Sequence, residues 1–256
     1  MWSFANPQRF LGLSRRLVPW LASATGLLFA AGLLDALVLS PPDYQQGESV
    51  RMMYVHVPAS WMALFVYTLM AGASLVFLVW RHALADVAAR AAAPLGAGFT
   101  AVSLATGSLW GKPMWGTFWV WDARLTSVLV LFFLYIGYIA LRGAIEDETR
   151  AGRAGAVLAL VGFVNVPIIK FSVDWWNTLH QPASVSRLDA PAIDASILTP
   201  LLLMAAAYMA LFATLLLLRM ETEIYARRVR AAAMREVAAA QARDETGEAA
   251  GAAARP

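Results

Sequence analysis

Six stretches of the chain are apolar for long enough to cross a bilayer: about 20–39, 61–80, 94–110, 125–141, 154–171 and 197–218. Roughly 20 helical residues at about 1.5 Å each cover about 30 Å of hydrocarbon, and these Leu-, Val-, Ala- and Phe-rich segments approach or meet that length. None alternates apolar and polar residues with period two, so the pattern predicts membrane helices and not a transmembrane barrel. The third and fifth stretches are the weakest, being rich in Ala and Gly. Asn165 and Pro167 interrupt the fifth, which predicts a kink whose freed carbonyl needs a partner. Asp35, near the end of the first stretch, reads as an edge residue, with an intramembrane carboxylate as the alternative. The expected fold is an all-α integral membrane protein of six transmembrane helices. An arm at 1–19, a membrane domain at 20–218 and a partly disordered tail at 219–256 make up the expected organisation, with the disorder placed at 247–256.

Composition supports this class. The 256 residues are 60% hydrophobic and only 14% charged. Soluble domains carry about 25% charged residues, so this chain could not cover a water-facing surface of ordinary polarity. The apolar fraction excludes a disordered or collagen-like chain, and the absence of Cys excludes a disulfide scaffold, a thiolate metal site and a thiol nucleophile. No phosphate-binding GxxxxGK[ST] loop and no nucleophile elbow occur. Arg9, Arg15 and Arg16 precede the first stretch as they would a signal peptide. Its apolar run is too long for that, and no A-x-A site follows, so a retained helix is expected.

The basic residues orient the chain. The arm, the second and fourth connections and the tail hold 15 of the 20 Lys and Arg. The other side holds Arg51, Lys112, Arg124 and Arg187, with Lys170 at a helix end. The positive-inside rule then places both termini in the cytoplasm and turns loops 40–60, 111–124 and 172–196 outward. The positive balance thus marks membrane orientation and not a nucleic-acid surface.

Those outer loops are rich in aromatic residues. Of ten Trp, seven (Trp61, Trp110, Trp115, Trp119, Trp121, Trp175 and Trp176) fall outside, and Trp2, Trp20 and Trp80 fall inside. An anchoring belt populates both interfaces, so the imbalance points to a further role, with an asymmetric belt as the alternative. Pro113 and Gly116 favour a break after the third helix. Were the following residues a short interfacial helix, Trp115, Phe118, Trp119 and Asp122 would share one face at i, i+3, i+4, i+7 spacing. Such a face suits a large, flat, mostly apolar ligand. Asp122 and Arg124 could pair with each other, or Arg124 could hold a ligand carboxylate with two hydrogen bonds.

Three His residues occur. His82, beside Arg81, reads as a solvated residue of the second connection. His56 and His180 lie in the first and third outer loops, each a few residues from a predicted helix. A lone His is usually a structural hydrogen-bonder. Two of them on the same side as an aromatic platform fit axial ligation of haem iron. Zinc is disfavoured, since neither an HExxH pair nor further ligands accompany them.

WGTFWVWDARLTS (Trp115 to Ser127) resembles the tryptophan-rich "WWD" signature of the haem-handling proteins. VHVPASW around His56 and WWNTLHQPAS (Trp175 to Ser184) resemble the two His motifs of the CcmC, or haem exporter protein C, branch of that family, over roughly residues 15–220. The resemblance implies haem b as non-covalent cargo at a periplasmic site, with His56 and His180 as axial ligands. Trp115, Gly116, Phe118, Trp119, Trp121 and Asp122 would form the platform, and Arg124 a propionate or chaperone contact. It further implies delivery to the haem chaperone CcmE, where a chaperone His bonds to a haem vinyl carbon, within a system containing the ATP-binding cassette pair CcmA and CcmB and the small CcmD. Whether the chain itself catalyses that bond is left open. Phe118 departs from the signature, standing where Trp is common and removing an indole N–H. Three other classes remain as alternatives. A transmembrane haem transporter needs a porphyrin-sized path. A b-type electron-transfer subunit needs His within the spans. A scaffold without ligand predicts a colourless protein.

Overall fold

The computed structural model describes residues 6–253 except 182, 183, 186, 188 and 189. Trp2, Arg255 and the Pro182-Ala183 step of the second His motif lie outside the described residues. Among the described residues seven α-helices follow one another: α1 (Pro7–Leu34), α2 (Met53–Trp80), α3 (Ala83–Trp115), α4 (Ala123–Ala144), α5 (Glu148–Gly162), α6 (Asn165–Trp175) and α7 (Ala195–Ala253). A π-helical turn, Asp35–Leu39, extends α1, and a 3-10 turn, Glu48–Met52, leads into α2. Among the described residues six helical segments are long and apolar enough to cross a membrane, α5 and α6 together forming one of them. Each expected stretch lies inside one of these segments.

Local chemistry sets the helix ends. Asn6 caps α1 by accepting the Gln8 amide at 2.8 Å, with Pro7 in the first turn. Asp147 caps α5 through the Arg150 amide at 2.6 Å. α2 stops where Arg81 adopts a left-handed φ of 53°, and α3 starts two residues later. The second connection, expected to hold Arg90, is therefore only Arg81 and His82, and Arg90 lies on α3. Hydropathy missed this extension because Asp86 and Arg90 interrupt it, whereas in the fold both are paired. His82 is half-buried and not fully solvated. The expected break in the fifth stretch is present. α5 gives way to α6 at Phe163–Val164, and the Asn165 side chain donates to the Ser127 carbonyl at 2.8 Å, fastening the break to α4.

α2 and α3 form the most extensive seam, and α4 and α5 close a four-helix group against them. α7 packs on α2 and α3, and α1 lies outside α7. The centre is filled by Tyr67, Tyr135, Tyr138, Met70, Leu131 and Met204, all essentially inaccessible. Tyr67 and Tyr135 meet edge-on at 5.0 Å, and the Tyr135 hydroxyl donates to the Ala63 carbonyl at 2.8 Å. Trp20, Leu27, Phe133 and Val161 face outward, as suits lipid contact.

At the end bearing the α2–α3 turn, a charge network binds four helices. Asp86 on α3 accepts from Arg142 of α4 and, at 2.7 Å, from Arg227 of α7. Glu148 of α5 accepts from Arg90 at 2.9 Å and from Arg230 at 2.8 Å. Glu223 joins Arg227 at 2.7 Å. Asp86 and Arg142 are each only 4% exposed. Their mutual attraction offsets the desolvation of both, so the network specifies how the helices assemble more than it adds net stability.

Candidate haem-binding site

At the opposite end, His56 lies in the first turn of α2 and not in a loop. The preceding 3-10 turn draws the helix start back to Met53, which corrects the expected loop at 40–60. Pro58 sits two residues farther on and costs the helix one backbone bond. The imidazole Nδ1 is 3.0 Å from the Ser103 carbonyl of α3, which can only accept, so Nδ1 carries the proton. The same N–H faces the Thr106 hydroxyl oxygen at 3.2 Å, and that hydroxyl donates its own hydrogen to the Val102 carbonyl at 2.7 Å. Nε2 therefore keeps its lone pair, the form that binds a metal. Trp110 packs edge-on to the ring at 5.7 Å. Gly107 lies against it, where a Cβ would stand 2.8 Å from Cε1.

The tryptophan-rich segment departs from the helix considered above. α3 continues through Pro113 to Trp115, and Gly116, at φ 76°, ends it with its amide on the Lys112 carbonyl at 3.0 Å. Residues 117–122 are irregular, and Asp122 caps α4 by accepting the Leu125 amide at 2.8 Å. A left-handed stop and a new N-cap six residues later leave no room for an intervening helix. The four residues placed on one face are thereby dispersed. Trp115 and Trp119 line a cavity beside His56. Phe118 is half-exposed with the Lys112 ammonium 5.3 Å from its ring centre, and Trp121 lies outermost, packed edge-on to Trp119 at 5.5 Å.

His180 enters the same cavity from the connection between α6 and α7. Trp115 meets its ring at 4.9 Å and 62°. The second oxygen of Asp122 accepts the Leu179 amide at 3.3 Å, so one carboxylate both starts α4 and holds the backbone beside His180. Burial, then the nearby Arg124 guanidinium, then His56 hold the His180 imidazolium unstable against a smaller opposing pull from Asp122, and its pKa is pushed down to about 4. It is a neutral imidazole at physiological pH.

The cavity brings together His56, His180, Trp115, Trp119 and Arg124 of the expected site residues. It does not bring in Gly116, Phe118, Trp121 or Asp122, which shape the surrounding segment. Asp122 and Arg124 form no ion pair. The Arg124 guanidinium has no hydrogen-bonding partner among the described residues, although Asp122 and Asp174 act on it electrostatically. Below it the walls turn apolar, through Val128, Leu131, Ala63, Ile169 and Leu201. A flat apolar ring with acidic substituents and a coordinating metal matches this chemistry of two imidazoles, indole faces, one free cation and an aliphatic base.

Sequence reasoning missed Ser103, Thr106 and Gly107, which share one face of α3 with Trp110. Their i, i+3, i+4, i+7 spacing is a helical signal, but it fell in the stretch that looked weakest. Trp61 also lines the cavity.

The chain matches the family model described as "CcmC: Heme exporter protein C" over residues 1–235. It is 60% identical over 230 residues to the Heme exporter protein C of Bradyrhizobium diazoefficiens, covering 90% of this chain and 87% of that one. Identity to the Escherichia coli K12 protein of that name is 47% over 220 residues, covering 86% and 89%. To the Paracoccus denitrificans protein it is 42% over 237 residues, covering 92% and 98%. Six membrane-length helices carry this cavity at one end, and the chain belongs to the haem exporter protein C family.

Proposed function

We propose that the protein holds haem b, as non-covalent cargo, between His56 and His180 at the periplasmic face of a bacterial inner membrane, with both termini in the cytoplasm. It hands that haem to the chaperone CcmE for c-type cytochrome biogenesis, alongside CcmA, CcmB and CcmD. One observation carries the reading. Two imidazoles distant in sequence meet in a single cavity with Trp115, Trp119 and the unpaired Arg124. The relatives' name supplies the cargo, and the positive-inside asymmetry supplies the orientation.

The two imidazoles, His56 through Nε2, saturate the iron and limit oxygen chemistry while the cargo waits. Indole faces supply dispersion and exclude water from the macrocycle. Arg124 neutralises a propionate, which turns a vinyl edge toward the incoming chaperone. The chain has no ATP-binding loop, so any ATP-driven release falls to CcmA and CcmB. A transmembrane transporter is the weaker reading, because among the described residues the essentially inaccessible Tyr67, Tyr135 and Met70 fill the bundle beyond the cavity. Absorption spectra of purified wild type, His56→Ala and His180→Ala, oxidised and reduced, test the site. Loss of the low-spin haem spectrum is expected in both variants, and unchanged haem content and spectrum in both would overturn the assignment. Accessibility labelling tests the topology, which fails if positions 56 and 180 label from opposite leaflets.

A further inference from the structure

The two imidazoles are held very differently. His56 stands on a membrane helix and is fixed by α3 on three sides: the Ser103 carbonyl and Thr106 hydroxyl on Nδ1, Gly107 against Cε1 and the Trp110 edge. The Ser60 hydroxyl adds a brace, donating to the His56 carbonyl at 2.8 Å and meeting the Ser103 hydroxyl at 2.6 Å. His180 stands on a connection between helices. Its ring makes no hydrogen bond among the described residues, and its Nδ1 is buried without a partner. The Thr178 hydroxyl reaches only the His180 backbone, at 3.2 Å from N and 3.4 Å from O. Among the described residues Trp115 is the one ring that packs on it.

Resting on the haem reading above, we infer that the axial bonds are unequal: His56 is the permanent ligand and His180 the one that leaves first at hand-over, with Thr106 as the positioning residue behind the difference. An N–H donated to an acceptor makes an imidazole more basic toward a metal and locks its orientation. His56 has two such acceptors. His180 has none, and releasing it requires only movement of its connecting segment. In the hand-over step the bond between iron and the His180 imidazole nitrogen breaks, and its electron pair returns to the imidazole. The iron keeps its oxidation state, and the vacated position takes an incoming ligand. Haem then remains on His56 until the macrocycle itself is withdrawn. This order lets the cargo be opened on one face without being lost to water.

Carbon monoxide added to the reduced, haem-loaded full chain in detergent reads this order, because it replaces the weaker axial ligand. The expected CO-bound spectrum of wild type coincides with that of His180→Gly, in which His56 is the only ligand left, and differs from that of His56→Gly. Thr106→Val is expected to raise the haem reduction potential and to weaken haem binding about tenfold, as loss of a supporting hydrogen bond does. Thr106→Ser restores both, and Thr178→Val leaves the potential unchanged. The inference is overturned if the wild-type CO complex coincides with that of His56→Gly, or if Thr106→Val leaves the potential where it was. Failure of the bis-imidazole reading looks different: neither Gly variant would then alter the ferric low-spin spectrum.

Discussion

Asp122 and Leu179 are joined by a 3.3 Å hydrogen bond from the Leu179 amide to the carboxylate whose other oxygen caps α4. The acidic residue that ends the tryptophan-rich motif is thus a clasp between that motif and the segment carrying His180. Asp122→Ala removes cap and clasp together. The lost cap costs about 1 kcal/mol, measured as a shift in thermal or denaturant unfolding in detergent. The lost clasp lowers haem retained on purification. Asp122→Asn, a good N-cap, restores the stability but not the haem content, since its one carbonyl oxygen is taken by the Leu125 amide and its NH2 cannot accept from the Leu179 amide. Full haem content in the Ala variant would dismiss the clasp.

Gly107 separates function from folding. A methyl group there meets His56 Cε1 at 2.8 Å, closer than real Cβ contacts run. Gly107→Ala is also a favourable change for a helix, worth about 1 kcal/mol in propensity. The expected result is a protein as stable as wild type that has lost most of its haem affinity, read by haem titration beside a melting curve. Tight haem binding in this variant would show that the His56 ring is free to move.

His180 gives a pH prediction. Only the neutral imidazole ligates iron, and its folded pKa lies below the ordinary value, at about 4. Protonation of this group therefore competes with ligation only as pH falls toward 4. The contribution of His180 to haem affinity should be flat from about pH 8 to 5.5, compared between wild type and His180→Gly. An unperturbed His, with a pKa near 6.5, would lose about tenfold across that fall. Such a loss, absent from the Gly variant, would contradict the burial of this ring.

The ion network at the other end concerns assembly. Asp86→Asn leaves Arg142, 4% exposed, with only the more distant Glu148 carboxylate at 3.8 Å. Breaking a buried pair from one side costs about 3–5 kcal/mol, so a large drop in unfolding midpoint is expected. The fraction that remains folded should bind haem with an unaltered spectrum, because the network touches none of the cavity residues. Replacing Glu148, which is partly exposed, should cost far less.

The six membrane segments were legible because hydrocarbon imposes one simple demand, a long apolar run. Their ends were not, because a helix continues wherever polar residues find partners: Asp86 and Arg90 extend α3 by pairing with groups from α4, α5 and α7. The same limit applied at the site. His56, His180, Trp115, Trp119 and Arg124 could be named from motif and residue type. Ser103, Thr106 and Gly107 could not, because their role is to hold a ring contributed by another helix. The short aromatic helix considered after Gly116 fits the spacing of Trp115, Phe118, Trp119 and Asp122, but Gly116 in the left-handed region overrides that periodicity.

α7 carries Leu201 in the cavity wall and Arg227 in the ion network on one unbroken helix, about 39 Å apart at 1.5 Å per residue. Pro200 precedes both, so nothing between them offers a pivot. A helix of that length turns as a stiff beam. Motion imposed at its Arg227 end reaches the cavity as tilt, and the two extremities of the molecule cannot rearrange independently along this member.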